Sequence, residues 1–192
     1  MSTNTAVAID VTIREIPSFR VVSTSRYVGH SRNTFQMTSL YSPQEDTTGK
    51  HLMRWADKAG IRKGIIPGIQ GLALLHADWS NEEPEDLTFE DCLLLGQEIQ
   101  DYDSLMSLID AGGFDKEISL SVSHTPGGLY AVTRAIGPYS DLKAAYKALT
   151  HEWLPKSNYK YAGGPILELY INDDRTVPEE ELITDVCCPI EP

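Results

Sequence analysis

Hydrophobic and polar positions alternate with a period near two over much of this chain, and they switch to a helical period in a few places. Residues 1–8 are small and polar and read as a frayed end. From Val11 to Val28 the sequence is rich in Val, Ile, Phe and Tyr and is broken by Pro17, which is strand material. Residues 29–46 carry only weak periodicity and read as a loop with room for a short helix. Thr48 then caps a short helix in which Leu52, Trp55, Ala56 and Ala59 recur at i, i+3, i+4 and i+7, with Gly60 ending it. Leu72 to Trp79 and Leu87 to Leu95 read as two strands joined by an acidic, Pro84-containing connector over 80–86.

The second half is patterned more sharply. Ile118 to Ser123 and Leu129 to Ile136 are short strands separated by a turn at Pro126-Gly127-Gly128. Ser140 is the expected N-cap of the strongest helix, with Asp141 favouring its positive end. Leu142, Ala145, Tyr146, Leu149 and Trp153 form one apolar stripe on it, and Pro155 stops it. Gly163-Gly164-Pro165 turns into a strand at Ile166 to Ile171. An acidic connector over 172–181 then leads to a last strand, Leu182 to Ile190.

Set side by side, the halves repeat: strand, helix, strand, acidic connector with proline, strand. Pro84 and Pro178 stand 94 residues apart, and Leu87 and Leu182 stand 95 apart. Tyr27-Val28-Gly29 echoes Ala135-Ile136-Gly137 at a spacing of 108. The pattern predicts one α+β domain over 1–192, with a first unit at about 9–97 and a second at about 118–192. Between them, at about 98–117, lies an insertion carrying an amphipathic turn (Tyr102, Leu105, Met106, Ile109). The predicted fold is a tandem duplication of strand-helix-strand-strand units that forms one concave antiparallel sheet with helices on its outer face.

Charge narrows the function. Sixteen Lys and Arg against 28 Asp and Glu leave a net charge of -12 among 192 residues. Nucleic-acid affinity comes from cationic side chains releasing counterions, and anionic lipid attracts basic segments, so direct binding to either is not expected. Three cysteines give no disulfide framework and no Cys/His metal spacing, and no metal or cofactor is expected. Cys187 and Cys188, adjacent in a strand, point to opposite faces. There is no signal peptide pattern and no apolar run of the ~18 residues a spanning helix needs, so a reducing cytoplasm is expected. P-loop, Rossmann, G-x-S-x-G and H-E-x-x-H motifs are absent.

Glu168 is the sharpest candidate for chemistry. It interrupts an apolar strand on the face opposite Leu167, Leu169 and Ile171, and alternation places Tyr170 beside it. A carboxylate on that strand faces either water on an open sheet or a desolvated cleft, where a cationic guest supplies the missing counter-charge. Trp55, Trp79, Trp153, Tyr130, Tyr139 and Tyr170 are aromatics able to stack on a planar or cationic ligand. Among them Trp153, with Tyr146, lies on the apolar stripe of its helix and reads as core; Trp55 does so on its own helix. Tyr139, before the helix, and Tyr170 are the better ligand contacts, with Tyr130 equally readable as cleft or core. At an offset of 94, His76 matches Tyr170 and Leu74 matches Glu168, which makes His76 a candidate partner across a shared cleft.

The stretches 127–132 (GGLYAV), 137–157 (GPYSDLKAAYKALTHEWLPKS), 163–173 (GGPILELYIND) and 178–190 (PEEELITDVCCPI) resemble the gyrase-inhibitor-like family, the effector-binding domain of Rob-type and BmrR-type transcription regulators. They cover about a third of the chain, in the family's order and spacing; the first half matches in outline only. The resemblance implies a ligand cleft between two duplicated units, with Glu168 as the cleft glutamate that pairs with cationic drugs in the regulators. Regulators of this family carry a DNA-binding segment before this domain; here strands begin by Val11, which implies a free-standing form. Many relatives also carry a His before the Gly-Pro-Tyr stretch, where Ala135-Ile136 stand, and many an aromatic near Cys187 that is missing here. The expected function is binding of a small, partly apolar, cationic or aromatic molecule for sensing, sequestration or detoxification. One alternative is hydrolysis of strained electrophiles such as cyclopropanoids, with Glu168 and Tyr139 as the reacting groups. Another is a protein–protein role, with DNA gyrase or a separate regulator as partner.

Overall fold

The structure, a computed structural model, describes residues 10–29, 48–58, 68–77, 79, 87–95, 106–107 and 120–192. The expectations for 1–8, for 29–46 (Gly29 apart), for Ala59 and Gly60, for the 80–86 connector, for Ile118 and, apart from Met106 and Ser107, for the 98–117 insertion lie outside these residues. Among the described residues nine strands run in chain order: β1 (Val11–Ile16), β2 (Arg20–Gly29), β3 (Gly71–His76), β4 (Leu87–Leu94), β5 (Leu120–His124), β6 (Gly128–Ile136), β7 (Lys160–Tyr161), β8 (Ile166–Tyr170) and β9 (Ile183–Glu191). Helix α1 (Thr48–Lys58) lies between β2 and β3. Helix α2 (Leu142–Lys147) lies between β6 and β7. It opens with a 3-10 turn, Tyr139–Asp141, and continues through a π-helical turn, Ala148–Trp153, and a 3-10 turn, Leu154–Lys156.

The sheet is antiparallel throughout, in the order β1-β6-β9-β8-β3-β4-β2-β5, with β7 pairing the end of β9. That order is a palindrome of the two units about the β8–β3 seam. Ala73 pairs with Asp91 where Glu168 pairs with Val186, so β3 and β4 map onto β8 and β9 at an offset of 95. Thr24 pairs with Asp91 and Leu120 where Thr133 pairs with Val186 and Val11, so β1 and β2 map onto β5 and β6 at 109. The register shift between Tyr27 and Gly29 then brings Gly29 onto Gly137 at the 108 seen in sequence.

The offset of 94 expected for β3 is therefore corrected to 95. A one-residue slip reverses every side chain in a strand, so Ala73, not Leu74, is the counterpart of Glu168, and His76 corresponds to Ile171 rather than Tyr170. Ala73 and Glu168 are moreover paired with each other across the seam, on the axis that relates the units.

Each leading strand is exchanged: β1 pairs with the second unit's β6, and β5 with the first unit's β2. Pro17, Ser18 and Phe19 alone join β1 to β2. Four Cα steps span at most ~14 Å, whereas six strand intervals in a flat sheet span ~29 Å. The sheet must curl. Pro17 and Pro126 occupy equivalent places in the two joins, which lie against each other: the Ser18 hydroxyl donates to the Thr125 carbonyl at 2.6 Å, and Phe19 N–H to Thr125 Oγ1 at 2.8 Å. Gly127 permits this approach, since a Cβ there would stand 2.8 Å from the Ser18 nitrogen.

The two faces of the curled sheet carry separate cores. The inner face packs Ile16, Val21, Leu72, Leu74, Tyr130, Val132, Leu167, Leu169 and Cys187 on one another. The outer face is covered by helices: Leu142, Tyr146 and Leu149 lie on Ala73, Leu75, Phe89, Ala131, Ile166, Val186 and Cys188, while Leu52, Trp55 and Ala56 of α1 lie on Val22 and Leu93. Cys187 and Cys188 divide between the faces as alternation predicts. The α+β concave sheet with outer helices is as expected. The helix entry is not: Pro138 stands at the cap of the opening turn without a side-chain cap bond, and the Ser140 hydroxyl is directed to Asp141 Oδ1 at 3.3 Å instead. Among the described residues no helix is long and apolar enough to cross a membrane.

Candidate functional site

Glu168 sits in the middle of β8 on the helix-covered face, between Ala73 of β3 and Val186 of β9, with none of its surface exposed. A carboxylate so placed requires donors, because an ion without partners in an apolar interior is strongly disfavoured. Two phenols meet that need, one for each oxygen. Tyr146 descends from α2, and its hydroxyl donates to Oε1. Tyr170, two residues along the same strand, donates to Oε2 at 2.5 Å. The apolar stripe that packs α2 onto the sheet thus carries, at its centre, a hydroxyl aimed at the carboxylate below it.

Aromatic rings extend the site in two directions. The Tyr139 ring, at the head of the helix, lies 5.3 Å from the Tyr170 ring at an interplanar angle of 55°. Trp79, just beyond β3, stacks on Tyr146 at 5.4 Å and 23°, and its indole N–H donates to the Leu75 carbonyl at 3.2 Å. The surroundings are acidic. Burial pushes the Tyr170 phenol well above its ordinary value, and the negative charges of Glu168 and Asp91 push it the same way. Tyr139 is likewise held up, by burial first and then by Asp174, Glu168 and Asp173. Both phenols therefore stay protonated and able to donate at neutral pH. Burial and Asp173 raise Asp174, while Arg175 and Lys50 of α1 oppose that rise.

Of the residues expected from sequence, Glu168, Tyr170 and Tyr139 come together. Tyr130 does not join them: it is buried on the inner face, donates its hydroxyl to the Pro126 carbonyl at 2.9 Å, and has its pKa pushed up to about 12, chiefly by burial. Trp55 is buried under α1. Trp153 is half-buried and stacks on Tyr159 at 6.2 Å. His76 lies on the inner face, where its Nε2 meets Glu90 Oε2 at 2.8 Å; alternation along β3 separates it from Glu168. Sequence reasoning placed Tyr146 in the core and passed over its hydroxyl. The available signal was that a buried tyrosine hydroxyl seeks a polar partner, and Glu168 is the carboxylate on the strand beneath. Among the described residues no group of three His, Cys, Asp or Glu side chains is arranged to hold a metal.

The Escherichia coli K12 protein described as probable transcriptional regulator YgiV is 36% identical over 76 residues, covering 40% of this chain and 48% of that protein, so the chain spans about half the length of the curated relatives it matches. The EcmrR C-terminal domain superposes with a TM-score of 0.62 at 19% identity, covering 96% of this chain and 99% of that one. SAV2435, solved bound to tetraphenylphosphonium, superposes with a TM-score of 0.59 at 14% identity, covering 95% and 94%. At such identities the two structures establish a shared fold. The model of the GyrI-like small molecule binding domain matches residues 9–191, and the chain belongs to that family.

Proposed function

We propose that this protein binds a small, partly apolar cation against Glu168, in a cleft on the outer face where the two units meet, with Tyr139 and Tyr170 as aromatic walls. The observation that carries this reading is the fully buried Glu168 carboxylate gripped by two phenols. Phenol hydroxyls spread part of its charge, and a cation entering beside it completes the neutralisation in a low-dielectric setting where the pairing is strong. The faces of aromatic rings attract the same cation, and Asp91, Asp173 and Asp174 extend the negative potential around the phenols. The tetraphenylphosphonium held by SAV2435, a protein of the same fold, is a guest of this chemistry.

Calorimetric titration with tetraphenylphosphonium and with a neutral compound bearing the same rings tests the reading. The cation is expected to bind better, and Glu168→Gln to weaken it by ~10-fold or more, the equivalent of ~1.4 kcal/mol. Equal affinity for the cation and the neutral compound, or a Glu168→Gln variant that binds as wild type does, would overturn it.

A further inference from the structure

The residues that grip or flank the ligand's charge in this reading all come from the second unit: Glu168, Tyr170, Tyr146 and Tyr139. The first unit faces them with β3 and Trp79. Along the outer face of β3 the residues opposite the site are among the smallest available, Gly71 across from Tyr170 and Ala73 across from Glu168. Tyr170 can reach Glu168, two places back on its own strand, only if its ring leans along the strand. That ring lies over Gly71: a Cβ built there would stand 3.3 Å from Tyr170 Cδ2, tighter than ordinary van der Waals contact. Gly71 does not have a left-handed backbone, since positive φ among the described glycines is confined to Gly68, Gly128, Gly137, Gly163 and Gly164. Its missing side chain is therefore a matter of room, not of conformation.

Tyr146 is fixed in a parallel way. The Trp79 indole covers its ring, anchored in turn by the Leu75 carbonyl. In the π-helical turn the Thr150 hydroxyl donates to the Tyr146 backbone carbonyl at 2.9 Å. A phenol held by stacking has its hydroxyl direction set by the ring plane, and an offset stack supplies this beyond simple burial.

We infer that β3 and the residue it delivers are the positioning element of the site: Gly71 gives Tyr170 the room, and Trp79 gives Tyr146 the surface, from which the two phenols reach Glu168. Gly71 and Trp79 are positioning residues, acting on the ligand through Tyr170 and Tyr146. The inference rests on the reading that Glu168 receives the ligand's charge, and it adds which residues of the other unit govern that charge.

Double-mutant cycles test it on the full chain, with tetraphenylphosphonium as probe. Valine suits a strand better than glycine but crowds Tyr170, so Gly71→Val is expected to leave the melting temperature close to that of wild type while weakening binding ~10-fold. In a Tyr170→Phe background the same change is expected to cost under ~2-fold, because its target hydroxyl is gone. Trp79→Leu is expected to behave in the same way toward Tyr146→Phe, and Trp79→Phe, which keeps a stacking ring, to stay within ~3-fold of wild type. A second readout needs no ligand: the pH midpoint of the Glu168 carboxylate carbon by 13C NMR, assigned by its loss in Glu168→Gln. Donors favour the ionised form, so Gly71→Val and Trp79→Leu are expected to move that midpoint to higher pH. The other titratable groups disposed around Glu168 and its phenols (Tyr139, Asp91, Asp173, Asp174, and Cys187 on the other face) are unchanged in each variant. Fully additive losses of affinity, or an unmoved midpoint in both variants, would overturn the inference. Failure of wild type to bind the cation would overturn the functional reading instead, and the carboxylate midpoint would still decide this one.

Discussion

The two units share a backbone frame and differ in several of the polar residues mounted on it. At equivalent places stand Ala73 and Glu168, Leu75 and Tyr170, Asp91 and Val186, Glu90 and Asp185. On the inner face Leu72 and Leu74 keep their type in Leu167 and Leu169, as do the two join prolines, while on the outer face apolar residues are exchanged for charge and hydroxyl. For Ala73 and Glu168 the geometry gives a reason. Because these two are paired directly across the seam, a faithful copy would set two glutamates face to face on adjacent strands, ~5 Å apart at Cβ. Like charges at that range in a buried setting cannot both ionise. A duplicated frame of this kind carries one ionised carboxylate at this pair, and the small Ala73 opposite Glu168 avoids a second. The inner face shows a gentler divergence: Asp185 is held by Arg14 at 2.9 Å and Arg134 at 2.7 Å, and its counterpart Glu90 by His76 at 2.8 Å.

The sharpest way to break this asymmetry is to undo it. Ala73→Glu is expected to cost ~3–5 kcal/mol of unfolding free energy in urea titrations, by burying a second charge opposite the first. Moving the carboxylate instead, with Ala73→Glu and Glu168→Ala together, is expected to recover less than half of that loss, because Leu75 stands where Tyr170 supplies a donor. Next in size is the loss of either phenol. Tyr146→Phe and Tyr170→Phe each take a hydroxyl from a fully buried carboxylate, and each is expected to cost ~1–3 kcal/mol in the same titrations.

The inner-face comparison is sharpened by acid. The His76 hydrogen bond is the main cause holding Glu90 below its ordinary value of 4.5, against the opposing effect of burial. A depressed carboxylate contributes stability that is present above its unfolded value and is lost as pH falls through the folded one. His76→Ala is therefore expected to shift that loss upward toward pH 4.5. Acid unfolding monitored by circular dichroism checks it, and a curve that coincides with wild type below neutrality would remove Glu90 as its source. The smallest expected effect concerns the helix entry: Ser140→Ala should cost under ~0.3 kcal/mol by thermal melts, where a true N-cap costs ~1 kcal/mol.

How far the sequence reveals this molecule depends on which physical signal each feature left in it. Strands bounded by Pro17, by Pro126-Gly127 and by Gly163-Gly164 were legible, because turn chemistry is local and the strands alternate. Glu168 and its face were legible because one charge in an apolar strand is conspicuous. The pairing of the repeats slipped by one residue because the prolines at 84 and 178 were used as anchors, and connectors accept insertions that strands do not. In strands buried on both faces, composition does not reveal such a slip: Leu72, Ala73, Leu74 and Leu75 are all apolar and all buried. Tyr146 was hidden for a related reason, since its ring obeys the helical stripe while its hydroxyl obeys the sheet below. Gly71 left no signal at all, because room for a neighbour's ring is a property of the pair. The two-residue β7 was too short to leave a pattern.

The exchange of leading strands has a consequence for how the chain comes to be folded. Val11 finds its partner in Thr133, and the strand opening the second unit closes back on the first. Neither half owns all the strands it needs, so a growing polypeptide cannot complete its first unit before β5 and β6, the opening strands of the second, have been made. Contacts so distant in sequence slow folding, since their loops must close before they are rewarded. During synthesis the VTIREI segment waits as an unpaired strand for more than a hundred residues. Its two charges, Arg14 and Glu15, lie in the middle of that waiting strand, where charged side chains discourage association with another chain.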